Sequence, residues 1–138
     1  DLHSNIKAVH CIEAAVHTAT TTNGAAIDTD GFESCEFIVH VGAAIDGDFT
    51  VALEQSPDNG SGSPTSWTAV PAAEVLGTNP VVIVTGHTDS VARIGFIGKE
   101  RHVRAVLTET AANTAGIVGV TAILGTPKVG PVPGQATA

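Results

Sequence analysis

Residues 35–41, CEFIVHV, alternate between two sets of side chains with a period of two, which is the spacing of a β-strand and not of a helix. One face of this stretch carries Cys35, Phe37, Val39 and Val41, and the other carries Glu36, Ile38 and His40. The alternation returns in residues 49–54, FTVALE, after the turn signal Asp46-Gly47-Asp48. We therefore predict two strands that pair as an antiparallel hairpin.

Short apolar runs and turn signals alternate through the rest of the chain. Further strands are predicted at residues 81–85, 91–97, 103–109 and 117–124. A Ser/Gly/Pro-rich loop is predicted at residues 56–66. Six or more short strands without helical periodicity between them predict an all-β fold. The expected form is a single antiparallel β-sandwich, jelly-roll-like or barrel domain.

The two ends of the chain differ in pattern from this body. Residues 6–16 fit either a strand or a helix, so residues 1–25 are interpreted as an N-terminal arm or a first strand. The β-sandwich body is assigned to residues 26–125. Residues 126–138 contain three prolines and two glycines, which oppose regular pairing and predict an extended C-terminal arm.

Composition limits the classes of partner. The 138 residues include 14 Asp and Glu against 6 Lys and Arg, a formal net charge of −8, so we expect no nucleic-acid partner. No apolar run reaches the ~18 residues of a membrane span, so we expect no membrane partner. Charged residues are only 14% and mean hydropathy is +0.25, a composition that favours oligomerisation or docking.

The residue types that carry chemistry lack the spacing that chemistry needs. The six histidines form no metal-ligand motif, and no nucleophile elbow or paired-cysteine redox motif is present. We expect no metal, no cofactor and no enzymatic activity. Cys11 and Cys35 favour two buried, reduced thiols, because free cysteine packs as a small apolar side chain; one disulfide is the alternative.

Four of the six cations lie within twelve positions of this acidic chain: Arg93, Lys99, Arg101 and Arg104. Strand alternation places Arg93 and Arg104 on outer faces. These cations either pair with the chain's own carboxylates or form a docking patch for an acidic neighbour. Trp67 is interpreted as a core or loop anchor, with an interface contact or a sugar platform as the alternative.

The strand at 117–124 carries apolar side chains on both faces. Its outward residues Ile117 and Ile123 predict a subunit contact or a cover from a terminal arm, with a central strand beneath a loop as the alternative. In the C-terminal arm, Lys128, Val129 and Pro131 are candidates for contacts with a neighbouring subunit.

Six segments together resemble one family. They are VHCIEA at 9–14, GFES at 31–34, DGDFTVALEQSPD at 46–58, SWTAVPA at 66–72, GFIGKERHVRAVLT at 95–108 and LGTPKVGPV at 124–132. Over nearly the whole chain they resemble the capsid decoration, or cement, proteins of tailed phages and prophages.

The resemblance implies a structural virion protein on the outer capsid surface, assembled in the host cytoplasm. Its implied partner is the major capsid protein, whose shell it stabilises. It also implies a homotrimer and no catalysis, and it transfers no site residue. The alternative is a carbohydrate-binding or adhesive β-sandwich, in which Trp67 and the acidic loops would form the site.

Overall fold

The computed structural model describes residues 1–43, 46–114 and 116–133. These residues form eleven strands in two antiparallel sheets, which pack face to face as a sandwich. The predicted all-β sandwich is confirmed, and the barrel alternative is wrong because the sheets do not close on each other. Two short 3₁₀ helices, His3–Asn5 and Ala72–Glu74, are the helical segments of the described chain.

The first sheet has five strands. In spatial order these are β1 (Ile6–Val16), β11 (Ile117–Pro127), β4 (Phe32–Val41), β9 (Ser90–Phe96) and β7 (Val75–Leu76). Its central strand is β4, the stretch from which the fold was predicted. Because β11 and β9 flank it on both sides, its hydrogen-bonding edges are both paired.

The second sheet has six strands. Its main order is β2 (Thr21–Asn23), β10 (His102–Ala111), β5 (Asp48–Ser56) and β6 (Thr68–Ala69); β3 (Ile27–Asp28) also pairs with β10 and β8 (Val81–Ile83) with β5. The long pair β10 and β5 forms its centre.

The predicted hairpin between residues 35–41 and 49–54 is wrong, because β4 and β5 belong to different sheets. The predicted alternation of both strands is confirmed, since their apolar faces line the same core from opposite sides. Alternation defines which face of a strand is buried, but it does not define the neighbouring strand. The connection crosses between the sheets, and Asp46 Oδ1 accepts a hydrogen bond of 2.8 Å from the backbone N–H of Thr114.

The terminal segments belong to the body. Residues 6–16 form the edge strand β1, which pairs with β11. The predicted C-terminal arm is not free over its described part. Pro127 still pairs with Phe32 within the sheet, Lys128 N donates to Gly31 O (2.8 Å), and Val132 N donates to Ser4 O (2.9 Å). Residues 134–138 of that predicted arm lie outside the described residues.

The core lies between the sheets and is built from the inward residues of each long strand. Its largest fully buried apolar side chains are Phe37, Phe49, Ile27, Leu53, Ile83, Ile94, Leu107 and Leu124. Cys11 and Cys35 lie in this core as free thiols, as the favoured interpretation predicts. Burial raises the pKa of Cys11, and it raises the pKa of Cys35 to about 12.

The two thiols are expected to be unreactive in the folded protein, because a buried thiol with a raised pKa forms little of the nucleophilic thiolate. Titration with a chromogenic disulfide at neutral pH should detect no free thiol before denaturation and two per chain in denaturant. Rapid modification of the native protein would contradict the placement of Cys11 and Cys35 in the core.

Candidate interaction surfaces

The outward face of the five-stranded sheet is apolar over much of its area. Residues that are register neighbours on adjacent strands form rows across this outward face. One row contains Ile123, Glu36, Gly95 and Leu76. The next row contains Ile38. A solvated sheet face normally carries polar residues at these positions.

We define the apolar sheet face by its five large side chains: Ile38, Leu76, Val91, Ile117 and Ile123. Leu76 is 57% exposed, Val91 is 62% exposed and Ile117 is 45% exposed. Val16, which lies beside Ile117 on β1, is also exposed and extends the face at that end. The face leaves isoleucine, leucine and valine side chains in contact with water within the described chain.

Two glycines on this face lie beneath neighbouring residues. A Cβ atom at Gly119 would lie 2.9 Å from Ala14 Cα, and a Cβ atom at Gly95 would lie 3.0 Å from Leu76 Cβ. Both positions point outward by register, and close neighbours exclude a side chain there. The glycines therefore make room for Ala14 and Leu76 to pack across the sheet.

The apolar sheet face carries one pair of opposite charges and is close to neutral overall. Arg93 Nε lies 3.7 Å from Glu36 Oε1, and the Arg93 side chain is 77% exposed. His10 points outward in the row that contains Arg93, and His40 points outward in the row that contains Val91. One cation and one carboxylate give the face a formal charge near zero, although the whole chain carries −8.

The outward face of the six-stranded sheet has a different character. Arg104 donates two hydrogen bonds, of 2.9 and 2.7 Å, to Glu54 Oε2, which is its register neighbour on β5. The Arg104 guanidinium carbon lies 4.4 Å from the centre of the Trp67 ring. This stacking and the ion pair hold Trp67 against the sheet, so its described contacts are those of an anchor.

A polar network orders the loop at residues 56–66 at one end of the sandwich. Asp58 Oδ2 accepts hydrogen bonds from the backbone N–H groups of Gly60 (2.7 Å) and Gly62 (3.3 Å). Its Oδ1 accepts a bond of 2.8 Å from Nε2 of His102, which is buried on β10. Ser56 Oγ also accepts from two backbone N–H groups later in the loop. The loop is therefore tied to β10.

Arg101 extends this network. It donates hydrogen bonds of 2.8 and 2.7 Å to the two carboxylate oxygens of Asp28. This pairing lowers the pKa of Asp28 to about 2 and raises the pKa of Arg101. The hydrogen bond from His102 lowers the pKa of Asp58. Both carboxylates are thus stabilised in their charged form.

Acid is expected to weaken the Asp28–Arg101 pair. Because the pKa of Asp28 is lower in the folded chain, its contribution to stability is present above the ordinary value near 4 and is lost as pH falls through about 2. Near neutral pH, Asp28→Asn should lower the melting temperature by at most a few degrees, since partly exposed ion pairs contribute about 1 kcal/mol or less.

The diagnostic quantity is the difference in melting temperature between the natural protein and Asp28→Asn, followed from pH 6 to pH 2. That difference should shrink as the solution becomes acidic. Glu33→Gln, which changes an exposed carboxylate, should show little difference at any pH. A difference for Asp28→Asn that stays constant with pH would contradict this role of the carboxylate.

The structure distributes the predicted interface residues over four places. Arg93, Ile117 and Ile123 lie on or within the apolar sheet face, whereas Arg104 and Trp67 lie on the other sheet. Arg101 lies in the polar network that orders the loop at residues 56–66, and Lys99 is exposed in the loop before Arg101. Lys128, Val129 and Pro131 follow β11 and are exposed.

The four clustered cations therefore do not form one patch. Arg93, Arg101 and Arg104 each contact a carboxylate of the same chain, as one of the two sequence interpretations proposed. Three residues of the apolar sheet face, Ile38, Leu76 and Val91, are not among the interface candidates from the sequence. The alternation that points Arg93 outward also points Val91 outward, whereas Leu76 lies in a two-residue strand without a readable period.

Within residues 1–43, 46–114 and 116–133, no group of three or more His, Cys, Asp or Glu side chains has a geometry that could hold a metal ion. Nor do these residues form a helix with the length and apolar character required to cross a bilayer.

The fold and its surfaces define a small all-β sandwich protein with one apolar outer sheet face. No protein-family model matches the chain, and no curated protein sequence does. Among the solved structures that match, three have weakly similar folds. The SPBc2 prophage-derived protein YomS is 14% identical, with a TM-score of 0.44 over 88% of this chain and 94% of that one.

The second is from work on Bacillus endospore appendages, described as a family of disulfide-linked pili. It is 14% identical, with a TM-score of 0.42 over 90% of each chain. The third, PirA, is 13% identical, with a TM-score of 0.39 over 88% of this chain and 94% of that one. These values are too low to carry an argument about family or function.

Proposed function

We propose that this chain is a structural virion protein that binds the outer surface of a phage capsid and stabilises the shell. The observation that carries the proposal is the apolar sheet face on a compact body. Such a body suits a protein that works by contact, because exposed isoleucine, leucine and valine side chains are stabilised when a partner covers them. The sequence resemblance to capsid decoration proteins supports a phage capsid as the partner.

The proposal has further support from the polar side chains of the six-stranded sheet and of the loop at its end. Arg101, His102 and Arg104 each form a hydrogen bond or an ion pair with a carboxylate of the same chain. We propose no catalysis and no cofactor for this protein. Its proposed partners are the major capsid protein and further copies of itself, and its proposed location is the outside of the virion.

Three lysines are still available for docking, and two of them, Lys99 and Lys128, are candidates from the sequence; Lys7 is the third. All three are exposed, and among the described residues none of them contacts a carboxylate. Exposed charges at the rim of an interface mainly affect orientation and association rate. We propose that Lys99 and Lys128 face acidic groups of the shell.

The proposal is tested with shells assembled from the major capsid protein of the phage or prophage that carries the gene. After incubation and sedimentation, the purified chain should pellet with the shells up to a saturating ratio. Lys99→Glu with Lys128→Glu should lower occupancy, whereas Lys7→Glu, a matched change of an exposed lysine, should not. Absence of the natural protein from the pellet at every ratio would refute the proposal.

The carbohydrate-binding alternative is not proposed. Arg104 covers one face of the Trp67 ring at 4.4 Å, so that face is not open for stacking against a sugar.

A further inference from the structure

We infer that the apolar sheet face binds a second copy of this chain, so that two sandwiches pack through their five-stranded sheets. This inference goes beyond the proposed function. It assigns the apolar sheet face to a second copy, as a pair in place of the homotrimer that the resemblance implies, and it leaves contact with the shell to the surface that carries Lys99 and Lys128. Three features of the described residues lead to it: where the exposed apolar side chains lie, how the face is charged, and how large it is.

The first feature is the distribution of apolar side chains. The five-stranded sheet presents Leu76, Val91 and Ile117 to water. Among the described residues, Val82 is the one large and exposed apolar side chain that a strand of the six-stranded sheet presents. The apolar sheet face therefore has no comparable apolar surface on the other sheet. Its matching surface on another copy is the same face, and the contact is two-fold symmetric.

The second feature is charge. Two chains of formal charge −8 repel each other, so the surface through which they meet has to be close to neutral. The apolar sheet face meets this condition because Arg93 and Glu36 balance each other.

The contact between these two side chains is loose, at 3.7 Å, and Arg93 is mostly exposed. The two residues lie on adjacent strands in adjacent outward rows. A two-fold axis that passes between them places Arg93 of each copy beside Glu36 of the partner subunit. The face is therefore complementary to itself in charge as well as in apolar character.

The third feature is size. The four longer strands, spaced about 4.8 Å apart, span about 14 Å, and ten residues of a long strand extend about 33 Å. The fifth strand, β7, adds only two residues at one edge. The area is then roughly 500 Å² per copy and about 1,000 Å² for two copies, the lower end of the range for specific protein interfaces.

The mass of the free protein in solution tests the inference, measured by light scattering during size-exclusion chromatography. The natural chain should elute with the mass of two chains. Val91→Asp should weaken self-association by at least about tenfold. Val82→Asp is the matched control, because Val82 is 55% exposed and lies on the other sheet; this variant should keep the mass of two chains.

Exchange of the charges at positions 93 and 36 tests the proposed contact between Arg93 and Glu36 of the two copies. Arg93→Glu should weaken self-association, and adding Glu36→Arg to that variant should restore it, because the pair is re-formed with its charges reversed. Melting curves of every variant confirm that it is folded. A natural chain with the mass of one chain or of three chains would overturn the inference, and so would equal effects of Val91→Asp and Val82→Asp.

The outcome is independent of the capsid experiment. A two-chain mass without binding to shells would refute the proposed function and leave the sheet-to-sheet contact standing. Binding to shells by a protein that never pairs through this face would do the opposite.

Discussion

Phe37→Ala is expected to lower the free energy of unfolding by about 3–5 kcal/mol. Phe37 is fully buried in the middle of β4, where its register neighbours are Ala122 on β11 and Ile94 on β9, also fully buried. Removal of the ring takes away apolar contacts and leaves a cavity between Ala122 and Ile94. Small domains have a total stability of about 5–15 kcal/mol, so this loss is a large part of it.

Urea denaturation followed by the fluorescence of Trp67, the single tryptophan, measures the effect. Phe37→Leu keeps an apolar side chain at the site and should lose less stability than Phe37→Ala. Val82→Ala, on the outer side of the other sheet, should change the free energy of unfolding by about 0.5 kcal/mol or less. A loss for Phe37→Ala no larger than that of Val82→Ala would contradict the position assigned to β4.

Gly47→Ala is expected to lower the free energy of unfolding by about 1–3 kcal/mol, because the connection that crosses between the two sheets has no room for a side chain at position 47. A Cβ atom at position 47 would lie 2.6 Å from Ala111 O and 2.6 Å from Asn113 Cβ. Asn113 cannot move freely, since it is buried and its side chain exchanges two hydrogen bonds with the backbone of Gly116. The crossing would therefore have to shift.

Gly42→Ala is the matched control at the other end of the same connection. A Cβ atom there would lie 3.4 Å from its nearest neighbour, Ile117 Cβ, a separation that small adjustments accommodate. Thermal melts should rank the natural protein and Gly42→Ala close together and Gly47→Ala well below both. Equal melting temperatures for the two variants would show that the crossing is not packed as described.

The parts of the fold that could be predicted are those with a local cause. A period of two assigns each residue of β4, β5 and β11 to a face, and Phe37, Val51 and Val120 are accordingly buried. Strand pairing has no such local signal. The sequence between β4 and β5 resembles a hairpin turn, but the chain crosses to the other sheet there, because β11 and β9 occupy both edges of β4.

The interaction surfaces were predictable to a similar extent. Alternation correctly pointed Arg93 outward. It could not show that Arg101 meets Asp28, 73 residues away, or that Arg104 meets Glu54, 50 residues away, because these contacts depend on which strands are neighbours. The described part of the C-terminal segment was interpreted as an arm because of its prolines, whereas the N–H groups of Lys128 and Val132 attach it to the body.

Electron cryomicroscopy of shells assembled with and without this chain tests the proposed function most directly. The expected result is added density on the outer surface of the decorated shells, at regular lattice positions, into which the two-sheet sandwich fits. Decorated shells should also resist heating better than bare ones. Identical reconstructions at saturating protein, or added density confined to the interior of the shell, would contradict the proposal.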